Sequence, residues 1–389
     1  MAAGTPIYLD HAATTPVRSE VREAMEPFYG PRFGNPSSTH RWGREARAAL
    51  DEARERVARC LGAQPDEICF TSGGTEGDNL AVIGGWRAAR AATPARHAIV
   101  SSPMEHKAVL AAVHQVSREG GEERFVSVGP DGVVDRASLA ALLNDAVALT
   151  TIMWVNNETG VIQPVAELAA DAKAAGARFH TDAVQAFGKL RIDVREIPVD
   201  FLTVSGHKIG APKGIGAIFI RRGVPLEPLF HGGTQDRGRR PGTENVAYAV
   251  GLARAAELAI AEREREWSRL ETMRDALEAA LLERISDAVI HGRSAPRAPH
   301  ICNVSVPGTD NESLLMALDL AGMACSGGSA CQSGSIMPSH VLAAMGVKTE
   351  LAAAAIRISI GCLTTDACID RVAEKFPQLV AKARGMAVV

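Results

Sequence analysis

Short apolar runs alternate with alanine-rich amphipathic stretches between about residues 65 and 222. The runs predict strands over Glu67–Phe70, Ala98–Ser101, Ala148–Val155, Ala177–Thr181, Phe201–Val204 and Ile215–Ile220. Helical periodicity lies between them, as in Lys107–Arg118 and Pro164–Ala175. Such alternation predicts an α/β fold, with a mostly parallel central sheet flanked by helices. A long, charged helix is expected over Val246–Ile285, with Glu262-Arg-Glu-Arg-Glu-Trp267 in its middle, solvated along its length and joining the sheet domain to a smaller one. Beyond it, strands at His300–Val306 and Ala355–Ile360 with a helix at Asn311–Gly322 predict a smaller α+β unit.

The chain has 389 residues, is 46% hydrophobic and carries a formal charge of −3. That suits a soluble protein with ample core and gives no electrostatic reason to expect nucleic acid or an anionic membrane as partner. No apolar stretch approaches the ~20 residues needed to cross a bilayer. No basic-then-apolar segment opens the chain, so no secretory signal is expected. The cysteines are Cys60, Cys69, Cys302, Cys325, Cys331, Cys362 and Cys368. An odd count without zinc-type spacing argues for reduced thiols in a cytoplasm, with neither a disulfide framework nor a metal site.

In open parallel sheets, ligands bind beyond the carboxyl ends of the strands, so the residues after each strand carry the chemistry. The first strand leads into Thr71-Ser-Gly-Gly74-Thr75-Glu-Gly-Asp-Asn79 and a helix, an arrangement of free N–H groups suited to phosphate. No Gly-Lys-Ser/Thr follows, which excludes a nucleotide P-loop. His106, Asn157, Asp182 with Gln185, and Ser205-Gly-His207-Lys208 follow later strands. A buried lysine loses its proton readily and can condense with an aldehyde. A lysine, a carboxylate for a protonated pyridine nitrogen, a flat imidazole and a phosphate cradle together match the needs of pyridoxal 5'-phosphate.

Ser205-Gly-His-Lys208, the Thr71–Asn79 loop and His180-Thr-Asp182-Ala-Val-Gln185 resemble the class V aminotransferase-like enzymes of PLP fold type I. Tyr8-Leu-Asp-His-Ala-Ala-Thr-Thr-Pro16, Phe33-Gly-Asn35-Pro-Ser-Ser, Val155-Asn-Asn157-Glu-Thr-Gly, Arg240-Pro-Gly-Thr243-Glu-Asn and Ala355-Ile-Arg357-Ile-Ser359 extend the likeness along nearly the whole chain. Within that family the chain resembles the cysteine desulfurases of the NifS/IscS kind. The resemblance implies a large cofactor-binding domain over 15–255. It also implies a small domain from 1–14 and 256–389, with a catalytic cysteine loop at about 325–337.

It also implies roles. Lys208 would hold the cofactor and move the α-proton. Asp182 would keep the ring nitrogen protonated, and His106 would stack on the ring and move protons. Gly74, Thr75, Ser205 and His207 would take the phosphate, with Thr243 lent by the second subunit of a homodimer. Gln185 and Asn157 would bond the phenolic oxygen or the substrate. Arg357, aided by Asn35, would grip the carboxylate of L-cysteine. Cys331, in Gly328-Ser-Ala-Cys331 within a glycine- and serine-rich loop, would take the sulfur as a persulfide for an acceptor, either an iron–sulfur scaffold or a thiolation protein. Cys60, Cys69, Cys302, Cys362 and Cys368 are expected to be buried and inert. Cys325 is either a buried filler or a sulfur relay for Cys331. The stretch after Arg357 is shorter than the tail with which housekeeping members dock a scaffold protein, so the route to an acceptor stays open. The alternatives are a selenocysteine lyase or aminotransferase of the same family, which Cys331 argues against. A non-catalytic sulfur-carrier scaffold is a further alternative, which Lys208, Asp182 and His106 argue against.

Overall fold

The computed structural model describes residues 5–327 and 339–386. Its strands, in chain order, are β1 (Ile7–Tyr8), β2 (Ile68–Thr71), β3 (Ala98–Ser101), β4 (Glu122–Phe125), β5 (Val147–Thr151) and β6 (Arg178–Asp182). They continue with β7 (Phe201–Ser205), β8 (Gly216–Ile220), β9 (Val289–Ile290), β10 (Ile301–Ser305), β11 (Met323–Ala324) and β12 (Ala355–Ser359). The main sheet has the order β2-β8-β7-β6-β5-β3-β4, and β8 alone runs against its neighbours. Strands β2, β3, β5, β7 and β8 are buried along their whole length, as expected of a sheet covered by helices on both faces.

Three departures from the predicted elements have local causes. Strand β5 stops at Thr151 instead of Val155, because the backbone turns off the ladder there. Met153 N–H then donates to Glu105 Oε1 at 2.7 Å, and Trp154 N–H to the Asp182 carbonyl at 2.9 Å. Strand β4 was not predicted, since Glu-Glu-Arg-Phe carries no apolar alternation; it is an edge strand with half-exposed residues. The long helix, Val246–Arg284, is solvated only in its middle. Its first third packs on the main sheet, and Leu270, Met273, Leu277 and Leu281 face a second core.

That second core gathers β10, β12, the helix Asn311–Leu320 and the helix Asp366–Met386 around residues such as Val304, Ile356 and Phe376. Its antiparallel sheet has the order β12-β10-β9. The amino-terminal segment joins it, with β1 pairing β11 and Asp10 bridging Ser359. One end of β12 thereby comes beside the carboxyl ends of the main sheet.

The loop after β5 is held from the same side. Val161 bridges Arg297, whose guanidinium makes two bonds to Glu278 on the long helix, at 2.7 and 2.9 Å. Both side chains are almost fully buried. Glu278→Ala strands that guanidinium and should cost about 3–5 kcal/mol in urea unfolding. The double variant Glu278→Met, Arg297→Met should recover most of that loss; a double variant as unstable as the single would refute this account.

Candidate active site

The cleft, about 300 Å3, opens where β2, β3, β5, β6 and β7 end. After β2 the chain turns at Gly73, whose φ of +152° suits glycine, and enters a helical run over residues 74–92. A Cβ on Gly74 would fall 2.9 Å from Val184 Cγ2, and one on Gly77 would fall 2.6 Å from Thr203 Cγ2. Only glycine lets this helix start lie so close to β7. Ser205, at the end of β7, has a buried hydroxyl without a hydrogen-bond partner facing this turn.

After β3, Glu105 is buried and His106 caps the helix Lys107–Arg118, its Nδ1 accepting from Ala108 N–H at 3.2 Å. After β5, Asn156 holds the loop by bonding the Met104 carbonyl and the Glu158 and Thr159 N–H groups. Its neighbour Asn157 faces the cleft. After β6, Asp182 Oδ1 accepts from Val184 N–H at 2.8 Å. Gln185 donates to the Ala12 carbonyl at 2.9 Å and meets His300 Nε2 at 3.0 Å.

After β7, His207 Nδ1 lies 3.2 Å from Thr14 Oγ1, and Lys208 Nζ donates to the carbonyls of Ala12 and Ala13 at 2.6 and 2.7 Å. Arg357 enters from β12. It donates to the Asn157 carbonyl and to Asp10 Oδ1, both at 2.8 Å, while its buried Nε has no partner.

Burial governs the charges. It raises Asp182 above the usual carboxylate range, although His106 and Lys208 pull the other way. It lowers His106, against the opposing pull of Asp182, and lowers His207 to about 4, helped by the Lys208 charge. Both imidazoles are therefore neutral near pH 7. Asp78 is pushed well up by burial and by the neighbouring Asp182.

Ten of the residues singled out in the sequence line this cleft: Gly74, Thr75, His106, Asn157, Asp182, Gln185, Ser205, His207, Lys208 and Arg357. Two do not. Asn35 is exposed and its Oδ1 accepts from Ser37 N–H at 2.9 Å, and Thr243 is exposed on a separate loop. Cys331 lies outside the described residues.

The sequence reading missed four ionisable lining residues, Asp78, Lys107, Glu158 and His340. Asp78 follows Gly77 in the loop already read as a phosphate cradle, so its place on a helix turn was the available signal. His340 begins the helix His340–Ala344, with Nε2 2.9 Å from the Glu105 carbonyl, and nothing local marked it. A larger groove, about 580 Å3, runs past Arg47, Arg54 and Asp236. Its charges largely neutralise each other, Arg54 pairing with Asp236 at 2.6 Å, and it offers no candidate nucleophile.

The cysteines need one correction. Cys69 and Cys302 are buried as expected and Cys60 and Cys368 partly so, but Cys362 is exposed, on the turn that follows β12. Burial pushes the Cys325 thiol up to about 12, which favours a packing role over a sulfur relay.

The sequence profile of the aminotransferase class-V family matches residues 7–372. The chain belongs to that family. It is 45% identical to the cysteine desulfurase IscS of Dictyoglomus turgidum, over 97% of this chain and 95% of that protein. It is 42% identical to the cysteine desulfurase NifS of Azotobacter vinelandii, over 98% of this chain and 94% of that one. Among solved structures, a NifS-like protein superposes with a TM-score of 0.89 at 36% identity, covering 97% of this chain and 100% of that one. SspA in complex with cysteine does so at 0.77 and 32%, covering 91% and 98%.

Class-V enzymes of this type depend on pyridoxal phosphate, and the cleft fits that group. The unpartnered Ser205 hydroxyl and the glycine-lined helix start suit its phosphate, and buried Asp182 suits its ring nitrogen. Lys208 suits its aldehyde.

Burial also sets the response to acid. His180, on β6, is held between Thr151 Oγ1 at 2.8 Å and Thr203 Oγ1 at 3.0 Å, and its pKa falls to about 3. The unfolded chain therefore binds a proton below about pH 6.5 that the folded one refuses. Stability should fall by about 1.4 kcal/mol per pH unit as pH drops from 6.5 toward 3. Urea midpoints across that window should be flatter in His180→Gln; an unchanged slope would count against this account.

Proposed function

We propose that this chain is a cysteine desulfurase that converts L-cysteine to L-alanine and keeps the sulfur as a persulfide on Cys331. The supporting observation is the convergence of Lys208, Asp182, His106 and Arg357 on one cleft, in a chain so similar to named desulfurases along almost its whole length. Residues 15–255 serve as the cofactor-binding domain. Residues 1–14 and 256–389 form the small domain, with the catalytic loop at about 325–337.

Bound pyridoxal phosphate supplies an electron sink for the carbanion formed at the substrate α-carbon. Lys208 holds it and carries the α-proton. Asp182 holds the proton on the ring nitrogen. Neutral His106 would help hold the ring and could pass a proton to or from the substrate. Gly74, Thr75, Ser205 and His207 take the phosphate, with Thr243 arriving from the second subunit of a homodimer, which agrees with its exposure in the single chain. Gln185 and Asn157 bond the phenolic oxygen or the substrate.

Arg357 receives the substrate carboxylate by exchanging its bond to Asp10 and using its unpartnered Nε; Asn35, which does not line the cleft, gives no help to it within the single chain. Cys331, as thiolate, attacks the substrate sulfur. The new S–S bond forms as the Cβ–S bond breaks, and the electron pair returns to the carbon framework that leaves as alanine. The persulfide passes to a protein acceptor in the cytoplasm, for iron–sulfur cluster assembly or thiolation. No helix among the described residues is long and apolar enough to cross a membrane.

Three variants test this reading. Lys208→Ala should lose the visible absorbance of the wild-type protein near roughly 400–430 nm. Cys331→Ala should keep that band yet form alanine from cysteine at least about 100-fold more slowly. Arg357→Lys, with a point charge in place of the fork, should raise KM by about tenfold with a smaller change in kcat. Full alanine production by Cys331→Ala would refute the desulfurase assignment and favour another class-V activity.

A further inference from the structure

A second cavity, about 130 Å3, shares Lys208 with the cleft but lies between the amino-terminal segment, the long helix and the turn after β12. His11, Lys189 and His300 line it, and exposed Cys362 marks its opening. Both ring nitrogens of His11, Nδ1 of His300 and Nζ of Lys189 are buried without a hydrogen-bond partner among the described residues. The two imidazoles are 4% and 2% exposed, so little of either ring meets bulk solvent. Four orphaned nitrogens in one place are unusual, because buried polar groups are normally satisfied.

The charge balance is one-sided. Glu262 and Glu266 also line the cavity, but each is already paired, with Arg18 and Arg269 respectively, at 2.7 Å. The positive charge of Lys189 therefore has no counter-ion among the described residues, and burial together with Lys208 pushes its pKa down to about 7.

The hydrogen-bond polarity is equally definite. Gln185 spends its N–H on the Ala12 carbonyl, so its Oε1 accepts from His300 Nε2. A neutral His300 then presents Nδ1 to the cavity as an acceptor. Burial keeps His300 neutral by lowering its pKa well below 6.5. The His11 ring is fixed edge-on to Tyr8, 5.0 Å between centroids, and a Cβ on Gly361 would fall 2.5 Å from it.

We propose that this cavity is a binding site for a small anion that also carries a hydrogen, of the hydrosulfide or bicarbonate type. Lys189 supplies the counter-charge, His11 one N–H, and His300 Nδ1 accepts the ligand's own hydrogen. A halide satisfies the first two demands and fails the third. A water satisfies the hydrogen bonds and leaves the charge. This site does not depend on the cofactor chemistry assigned to Lys208.

The test is the thermal midpoint of the holoenzyme at constant pH and ionic strength, titrated separately with sodium bicarbonate, sodium hydrosulfide and sodium bromide. Bicarbonate or hydrosulfide should raise Tm by about 2 °C at saturation, with bromide giving no such rise. Comparing the first two arms tells which protic anion the site prefers. Lys189→Met should abolish the response while leaving the visible absorbance unchanged. Should that variant fold poorly, His11→Phe, which keeps the packing on Tyr8, should weaken binding at least about tenfold. No shift with either protic anion, an equal shift with bromide, or an undiminished response in both variants would overturn the proposal. Loss of cysteine turnover with the thermal response intact would count against the desulfurase reading and leave this site standing.

Discussion

Arg357 joins the two cores of this protein at the cleft. It belongs to β12, in the smaller antiparallel sheet, yet its guanidinium bonds the Asn157 carbonyl on a loop of the main sheet and the carboxylate of Asp10. A buried guanidinium is tolerated only where its hydrogens find acceptors, so the two cores are held at one spacing by its needs. The same spacing sets the width of the cleft. Lys208 adds a second tie, reaching the carbonyls of Ala12 and Ala13 in the amino-terminal segment that pairs with the smaller core.

In the cleft and among the buried residues beside it, burial decides protonation more than any single partner does. The imidazoles of His106, His180 and His207 are all driven toward their neutral forms, while Asp78, Glu105 and Asp182 are driven toward protonation. A site arranged in this way holds little net charge of its own, apart from the cations Lys107, Lys208 and Arg357. It therefore suits a ligand that brings both a phosphate and a basic ring nitrogen, because each finds a group whose protonation it can reset. The same physics acts at Lys189, where an unpaired ammonium is out of balance unless an anion comes to it.

Much of this was legible from residue order. Strand β3 and the helix Lys107–Arg118 lie where their apolar periodicity placed them, and the ends of β2, β6 and β7 differ by a residue or so. Nine cleft residues could be named because strand ends in a parallel sheet face one edge, so polar residues after different strands must meet, whereas Arg357, on the smaller sheet, came from the resemblance. Strand β4 escaped, since edge pairing needs backbone groups more than apolar side chains. The early end of β5 escaped because a buried carboxylate, Glu105, captures the Met153 N–H that a ladder would use. His340 escaped because its role depends on a contact with residue 105, far away in sequence.

The residues alone were enough for the fold class, the cofactor and the family, because each rests on periodicity or on short motifs whose chemistry is local. Only folding could decide that Asn35 and Thr243 stand apart from the cleft in a single chain, that Cys325 is half-buried against the smaller core, and that Cys362 is exposed. Folding also brings His11, Lys189 and His300 together around unpartnered nitrogens. Exposure and charge pairing belong to surfaces made by distant segments, and no local pattern along a chain encodes which segments will meet.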